Sequence, residues 1–128
     1  MKYLLDTNIL VDHIRGKEVI NQVFTGDEAA ISIITLAELT HGAYKSDNPK
    51  NSLSKVDYTI DKLNLQVENL SKDIVNTFGE IKANLEKKGQ RLEDFDLLIA
   101  ATAKVNNLTL VTRNIKHFKR IAGLKLND

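Results

Sequence analysis

Residues Ala29–Ile34 form an apolar, β-branched run that passes directly into Thr35-Leu-Ala-Glu38, where a helix is expected to begin. A strand without polar alternation has to be covered on both faces, which is the habit of a parallel sheet packed between helices. Thr35 and Glu38 fit a capping box, in which Thr35 caps the helix and Glu38 reaches back to it. The same arrangement recurs along the chain. Tyr3–Leu5 reads as a short strand closed by Asp6, with a helix from Thr7 to about Ile14. Leu65–Val67 and Leu108–Val111 read as further strands, and a last one is predicted near Leu124–Leu126.

Helices fill the intervals. A short one is expected within residues 17–25, and another runs from Thr35 to about Tyr44. The only proline, Pro49, separates the latter from a helix over about 51–63. Ser71 opens a helix with Ile74, Val75, Phe78, Ile81 and Leu85 on one stripe at helical spacing, closed by Lys87, Lys88 and Gly89. Leu92–Asn106 reads as a long helix and Ile115–Ile121 as a short one. Strands alternating with helices predict an α/β fold with a mainly parallel sheet and helices on both faces. At 128 residues the chain is expected to be a single domain, 1–128, with no repeat or linker.

Composition removes several function classes. There is no cysteine, which excludes disulfide scaffolds, thiolate zinc sites and thiol nucleophiles. The three histidines (13, 41 and 117) are too widely spaced for a paired zinc motif. The formal net charge of +1 is that of neither a polycation nor a polyanion. Seven aromatic residues without tryptophan argue against a platform for stacking single-stranded bases. No apolar run suffices to span a bilayer, and the start has no secretory cleavage pattern, so a cytoplasmic location is expected. Charge is nonetheless uneven: Arg113, Lys116, Lys119, Arg120 and Lys125 occur without an intervening acid. That run is either a solvated face or a phosphate-binding surface.

Acids collect where strands end and helices begin. Asp6 follows the first strand, Glu38 lies just beyond the second, and Glu93-Asp94-Phe95-Asp96 opens the long helix. Thr112-Arg113-Asn114 follows the strand Leu108–Val111 and offers a hydroxyl and an amide. Singly, each acid is explained as a cap or as a partner of the helix dipole. Together, at the carboxyl ends of one sheet where ligands bind, they would repel each other unless a cation held them. Hard carboxylate oxygens select Mg²⁺ or Mn²⁺, and such a cluster suits phosphoryl chemistry. Asp96 is preferred to Asp94 because the apolar face Leu97–Ala101 that follows should turn it inward.

Three stretches carry a resemblance: Leu4-Leu-Asp-Thr-Asn-Ile-Leu10, Thr35-Leu-Ala-Glu-Leu-Thr-His-Gly42, and Asp96-Leu-Leu-Ile-Ala-Ala101 leading to Leu110-Val-Thr-Arg-Asn114. In order and spacing they resemble the PIN-domain ribonucleases, specifically the VapC-type toxins of toxin–antitoxin pairs, over nearly the whole chain and least over residues 45–90. The resemblance implies a three-layer α/β/α fold, metal-dependent endonucleolytic cleavage of RNA to 5′-phosphate and 3′-hydroxyl ends, inhibition by a small cognate antitoxin, and a homodimer. By position it implies Asp6, Glu38 and Asp96 as metal-binding acids, Thr7 and Thr112 as orienting hydroxyls, and Asn8 as a helper. Many members carry a fourth acid where this chain has Asn114 or, three residues on, His117. Asn114 is then a neutral stand-in. The basic run Arg113–Lys125, Arg113 and Lys116 foremost, is expected to hold flanking phosphates, with His117 either a surface residue or a further phosphate contact. His41 reads as an ordinary helix residue.

Other readings fit less well. A phosphoacceptor receiver would need a central acceptor Asp, yet Val67 leads to Glu68-Asn69. A haloacid-dehalogenase-type phosphatase would need an acid at Asn8, and a dinucleotide fold a glycine-rich turn after the first strand. The alternative that remains is a catalytically inactive PIN-fold module that binds RNA or antitoxin but does not cut.

Overall fold

Tyr3–Leu5 (β1) forms the centre of a five-stranded sheet, because Leu4 and Leu5 point to opposite faces and are both fully buried. The computed structural model describes residues 2–127. In chain order the elements are β1, α1 (Thr7–Ile14), β2 (Ala29–Ser32), α2 (Ile33–Lys45), α3 (Pro49–Lys62), β3 (Gln66–Glu68), α4 (Lys72–Lys87), α5 (Asp94–Val105), β4 (Thr109–Val111), α6 (Ile115–Phe118) and β5 (Leu126–Asn127). The strand order is β3-β2-β1-β4-β5 and every pairing is parallel.

The strand pleat sorts side chains into two cores. Leu4, Ala30 and Leu110 face α4 and α5, meeting Ile74, Ile81, Leu85, Leu97 and Phe118. Leu5, Ala29, Ile31 and Val111 face the other way onto Ile9 and Leu10 of α1, Leu39 of α2 and Val56 of α3. This is the expected α/β/α layering. All four residues of β2 are buried, as its sequence required. The order of strands reverses beside β1, with β2 on one side and β4 on the other, and such a reversal opens a crevice beyond the carboxyl ends.

Several local expectations need correction. Ser32, not Thr35, caps α2: its hydroxyl accepts from Ile34 N at 3.0 Å, so the helix begins at Ile33 and the strand ends two residues early. Thr35 and Glu38 are therefore one turn inside the helix and free for other work. Residues 17–25 hold only a 3₁₀ turn, Gln22–Phe24, capped by Asn21. Val19 and Val23 there are exposed while Ile20 is buried, so no helical stripe exists. The helix expected over Leu92–Asn106 starts at Asp94, α6 stops at Phe118, and the last strand is Leu126–Asn127. Pro49 opens α3 instead of merely preceding it, since its missing N–H costs nothing at a first helical position. Ser71 caps α4 and Gly89, at φ +67°, follows its end, both as the sequence indicates. Among the described residues no helix is long and apolar enough to cross a membrane.

Candidate active site

Asp6 stands at the carboxyl end of β1 and is only 4% exposed. Its Oδ1 accepts from the backbone N–H of Thr7 at 2.8 Å, so it caps α1. Its Oδ2 accepts from the fully buried Thr112 hydroxyl at 2.7 Å, just beyond β4. Thr112 Oγ1 in turn accepts from Asn114 N at 3.0 Å. One carboxylate thus ties together the ends of two neighbouring strands at the crevice. Burial pushes the Asp6 pKa up from its ordinary value, against the downward pull of the Thr112 and Thr7 hydrogen bonds.

Glu38 reaches the same place from α2. The Thr7 hydroxyl lies 2.6 Å from Glu38 Oε1 and 3.0 Å from the buried Thr35 hydroxyl. The two α2 residues assigned to a capping box in the sequence therefore hold α1 instead. Asp96 enters from the first turn of α5. Its pKa is pushed up to about 6, first by burial and then by the negative charges of Asp6, Glu38 and Glu93. Asp96 is therefore within electrostatic reach of both Asp6 and Glu38. Asp94, two residues earlier, is more exposed, at the wall of the same cavity, and pairs there with Lys82 Nζ at 2.8 Å.

Glu38, Asp96, Asn114 and His117 line a cavity of about 880 Å³ whose further walls carry Glu86, Arg91, Glu93, Lys82 and Arg120. His117 Nδ1 contacts Asn114 Oδ1, so these two residues meet at the cavity wall where the sequence offers no acid. Asp6 is not in the cavity wall, and each of its oxygens accepts one hydrogen bond, which leaves further lone pairs. Thr7 and Thr112 position carboxylates, whereas Asn8 is exposed on α1 and lies apart. Arg113 and Lys116 do not line the cavity: Arg113 is ion-paired with Asp12 and with Glu18, the latter at 3.0 Å. Sequence reasoning missed Lys82 and Arg91, and it placed Arg120 in the basic run without bringing it to the acids. Only the tertiary packing of α4, α5 and the segments beside them sets these cations in the cavity wall.

A divalent cation fits the donor chemistry of this cavity. The neighbouring carboxylates raise the proton affinity of Asp96, the oxygens are hard, and no Cys or His ligand set competes. Among the described residues, however, no three acidic or imidazole side chains already converge on one point. The arrangement suits an ion that keeps several waters and takes one or two carboxylates directly, the habit of Mg²⁺.

Residues 3–124 match the PIN domain family. This chain belongs to the PIN-domain family. Within it, the chain is similar to Ribonuclease VapC2 of Rickettsia felis, 38% identical over 133 residues that span 100% of this chain and 98% of that protein. It is 35% identical over 131 residues to the tRNA(fMet)-specific endonuclease VapC of Salmonella typhimurium, covering 100% and 98%. The crystal structure of DNA-bound VapBC from Salmonella typhimurium contains a chain that superposes with a TM-score of 0.90 at 33% identity, over 100% of this chain and 98% of that one. The acids of this PIN domain thus sit in a fold shared from end to end with VapC proteins, including residues 45–90, where the sequence motifs are weakest.

Proposed function

We propose that this chain is an endoribonuclease that hydrolyses RNA phosphodiester bonds with Mg²⁺ or Mn²⁺, and acts as the toxin of a toxin–antitoxin pair. The observation that carries the reading is that Glu38 and Asp96 line one cavity at the carboxyl ends of parallel strands, where burial first, and then the charges of Asp6, Glu38 and Glu93, raise the proton affinity of Asp96. Asp96 and Glu38 would hold the ion, with Asp6 joining directly or through water. A bound ion would lower the pKa of a water for in-line attack and offset charge on the phosphate. Thr7 and Thr112 fix the carboxylate rotamers of Glu38 and Asp6 by their hydrogen bonds. Asn114, kept in place by Thr112 and His117, presents a neutral group opposite the acids.

The similarity to a ribonuclease and to a tRNA-specific endonuclease supports RNA as substrate, and similarity to chains of VapBC supports a small antitoxin partner. A homodimer and a cytoplasmic site of action belong to the same reading.

The test is incubation of antitoxin-free protein with total cellular RNA in Mg²⁺, Mn²⁺ or EDTA, followed by mapping of the new ends. Metal-dependent cuts leaving 5′-phosphates are expected, and the mapped sites name the RNA. A folded protein that binds RNA and cuts nothing under any metal would replace this reading with the inactive module.

A further inference from the structure

Beside the active-site cavity lies a second of about 450 Å³, and the two share Leu85 and Arg120 as a common wall. Their charge is opposite. Five carboxylates against three cations line the first. Lys87, Lys104 and Arg120 face the single acid Glu80 in the second. The sign of the potential therefore changes across the Arg120 ridge.

Two cations of the second cavity are held in place without being neutralised. Among the described residues the ion-paired cations are Lys82 and Arg113, both neutralised by carboxylates. Lys104 Nζ instead donates to the carbonyl of Ala122 at 3.0 Å, and Arg120 Nη1 to that of Arg91 at 2.9 Å. A carbonyl positions a cation without cancelling its charge. Gly123, in the left-handed region at φ +78°, brings this loop so close that a Cβ there would lie 3.7 Å from Lys104 Nζ. Both heads are thus held in place before any ligand arrives and keep donors for an anion, which lowers the ordering cost of binding.

We infer that this second cavity is a subsite for backbone phosphates of the RNA strand flanking the scissile bond, entered over Arg120 and completed by Lys87 and Lys104. The inference rests on the ribonuclease reading. A strand crossing from the acidic to the basic cavity meets a cation requirement in the first and a ready anion site in the second. Such contacts fix register and carry no sequence information. Arg113 and Lys116, the foremost phosphate contacts expected from the sequence, line neither cavity, whereas Arg120 of the same basic run lines both.

The experiment is titration of a single-stranded RNA with full-length protein carrying Asp96→Asn to prevent cutting, in Mg²⁺, across about 50 to 200 mM salt. Each phosphate contact to a single strand contributes about 0.7 to the slope of log affinity against log salt. Adding Lys87→Gln with Lys104→Gln is expected to flatten the slope by about 1.4, and the exposed Lys87→Gln alone by about 0.7. Lys87→Arg with Lys104→Arg keeps the slope, which separates charge from any change in folding. Arg113→Gln with Lys116→Gln moves it less than the lysine pair does. An unmoved slope in the Lys87 and Lys104 variants, on a parent that binds RNA, overturns the subsite and leaves the nuclease reading intact. A parent that binds no RNA, with wild-type protein that cuts none, overturns both.

Discussion

Asp96→Asn should make the metal-free protein more stable while abolishing its activity. Asp96 titrates at about 6 in the folded chain against an ordinary 3.8, so the fold favours its protonated form. A carboxyl whose folded pKa is raised contributes stability that is fully present below its unfolded pKa and is lost as pH rises through the folded one. The window is therefore from about pH 4 to somewhat above 6. At about 1.36 kcal/mol per pKa unit the loss is at most about 3 kcal/mol. Asp96 is half-exposed, and solvent screening reduces this to about 1–2 kcal/mol. An asparagine of the same shape carries no charge and escapes the penalty.

Urea unfolding in EDTA is thus expected to show the variant about 1–2 kcal/mol more stable than wild type near pH 8, with the gap closing toward about pH 4. Saturating Mg²⁺ should narrow the gap near pH 8 by stabilising wild type alone, about 1.4 kcal/mol for each tenfold excess over its dissociation constant. A variant less stable than wild type near pH 8, or a gap that ignores pH, would refute the argument that burial and the neighbouring charges hold the Asp96 carboxyl toward its neutral form.

Other expectations follow from the same contacts. Thr112→Val removes a buried donor to a charged Asp6 and an acceptor for Asn114 N, and should cost about 2–4 kcal/mol in unfolding experiments. Thr7→Val releases Glu38 from its 2.6 Å contact and should lower kcat about 10–100-fold with metal affinity measured in parallel, since partners that orient ligands matter nearly as much as the ligands. Phe118→Ala empties a fully buried site between α6 and the sheet and should cost about 3–5 kcal/mol, read by the urea midpoint.

The alternation of elements was legible because β1, β2 and β4 lie between helix layers and are mostly apolar. Asp6 was legible because it ends a buried strand, and Asp96 because it opens the apolar face of α5. Glu38 was found, but its partner was misread: Ser32 within the apolar run makes the cap, and the Thr35 hydroxyl spaced for a capping box points to Thr7 instead. Residues 17–25 misled because β-branched residues without a stripe fit a 3₁₀ turn as well as a helix. The strand order and the cations around the cavity were hidden for a common reason. Both depend on which helix packs against which, and Lys82 meets Asp94, or Arg120 meets Arg91, only through contacts distant in sequence.

The central claim is that Asp6, Glu38 and Asp96 act together on RNA through a divalent ion. Its most direct test is single-turnover RNA cleavage by wild type, Glu38→Gln and Asp96→Asn as Mg²⁺ or Mn²⁺ is titrated from zero. The account predicts cleavage that rises with metal in wild type, disappears in EDTA, and falls by about 100-fold or more in each variant despite an intact fold. Cleavage that persists in EDTA, or that survives Asp96→Asn undiminished, would contradict it.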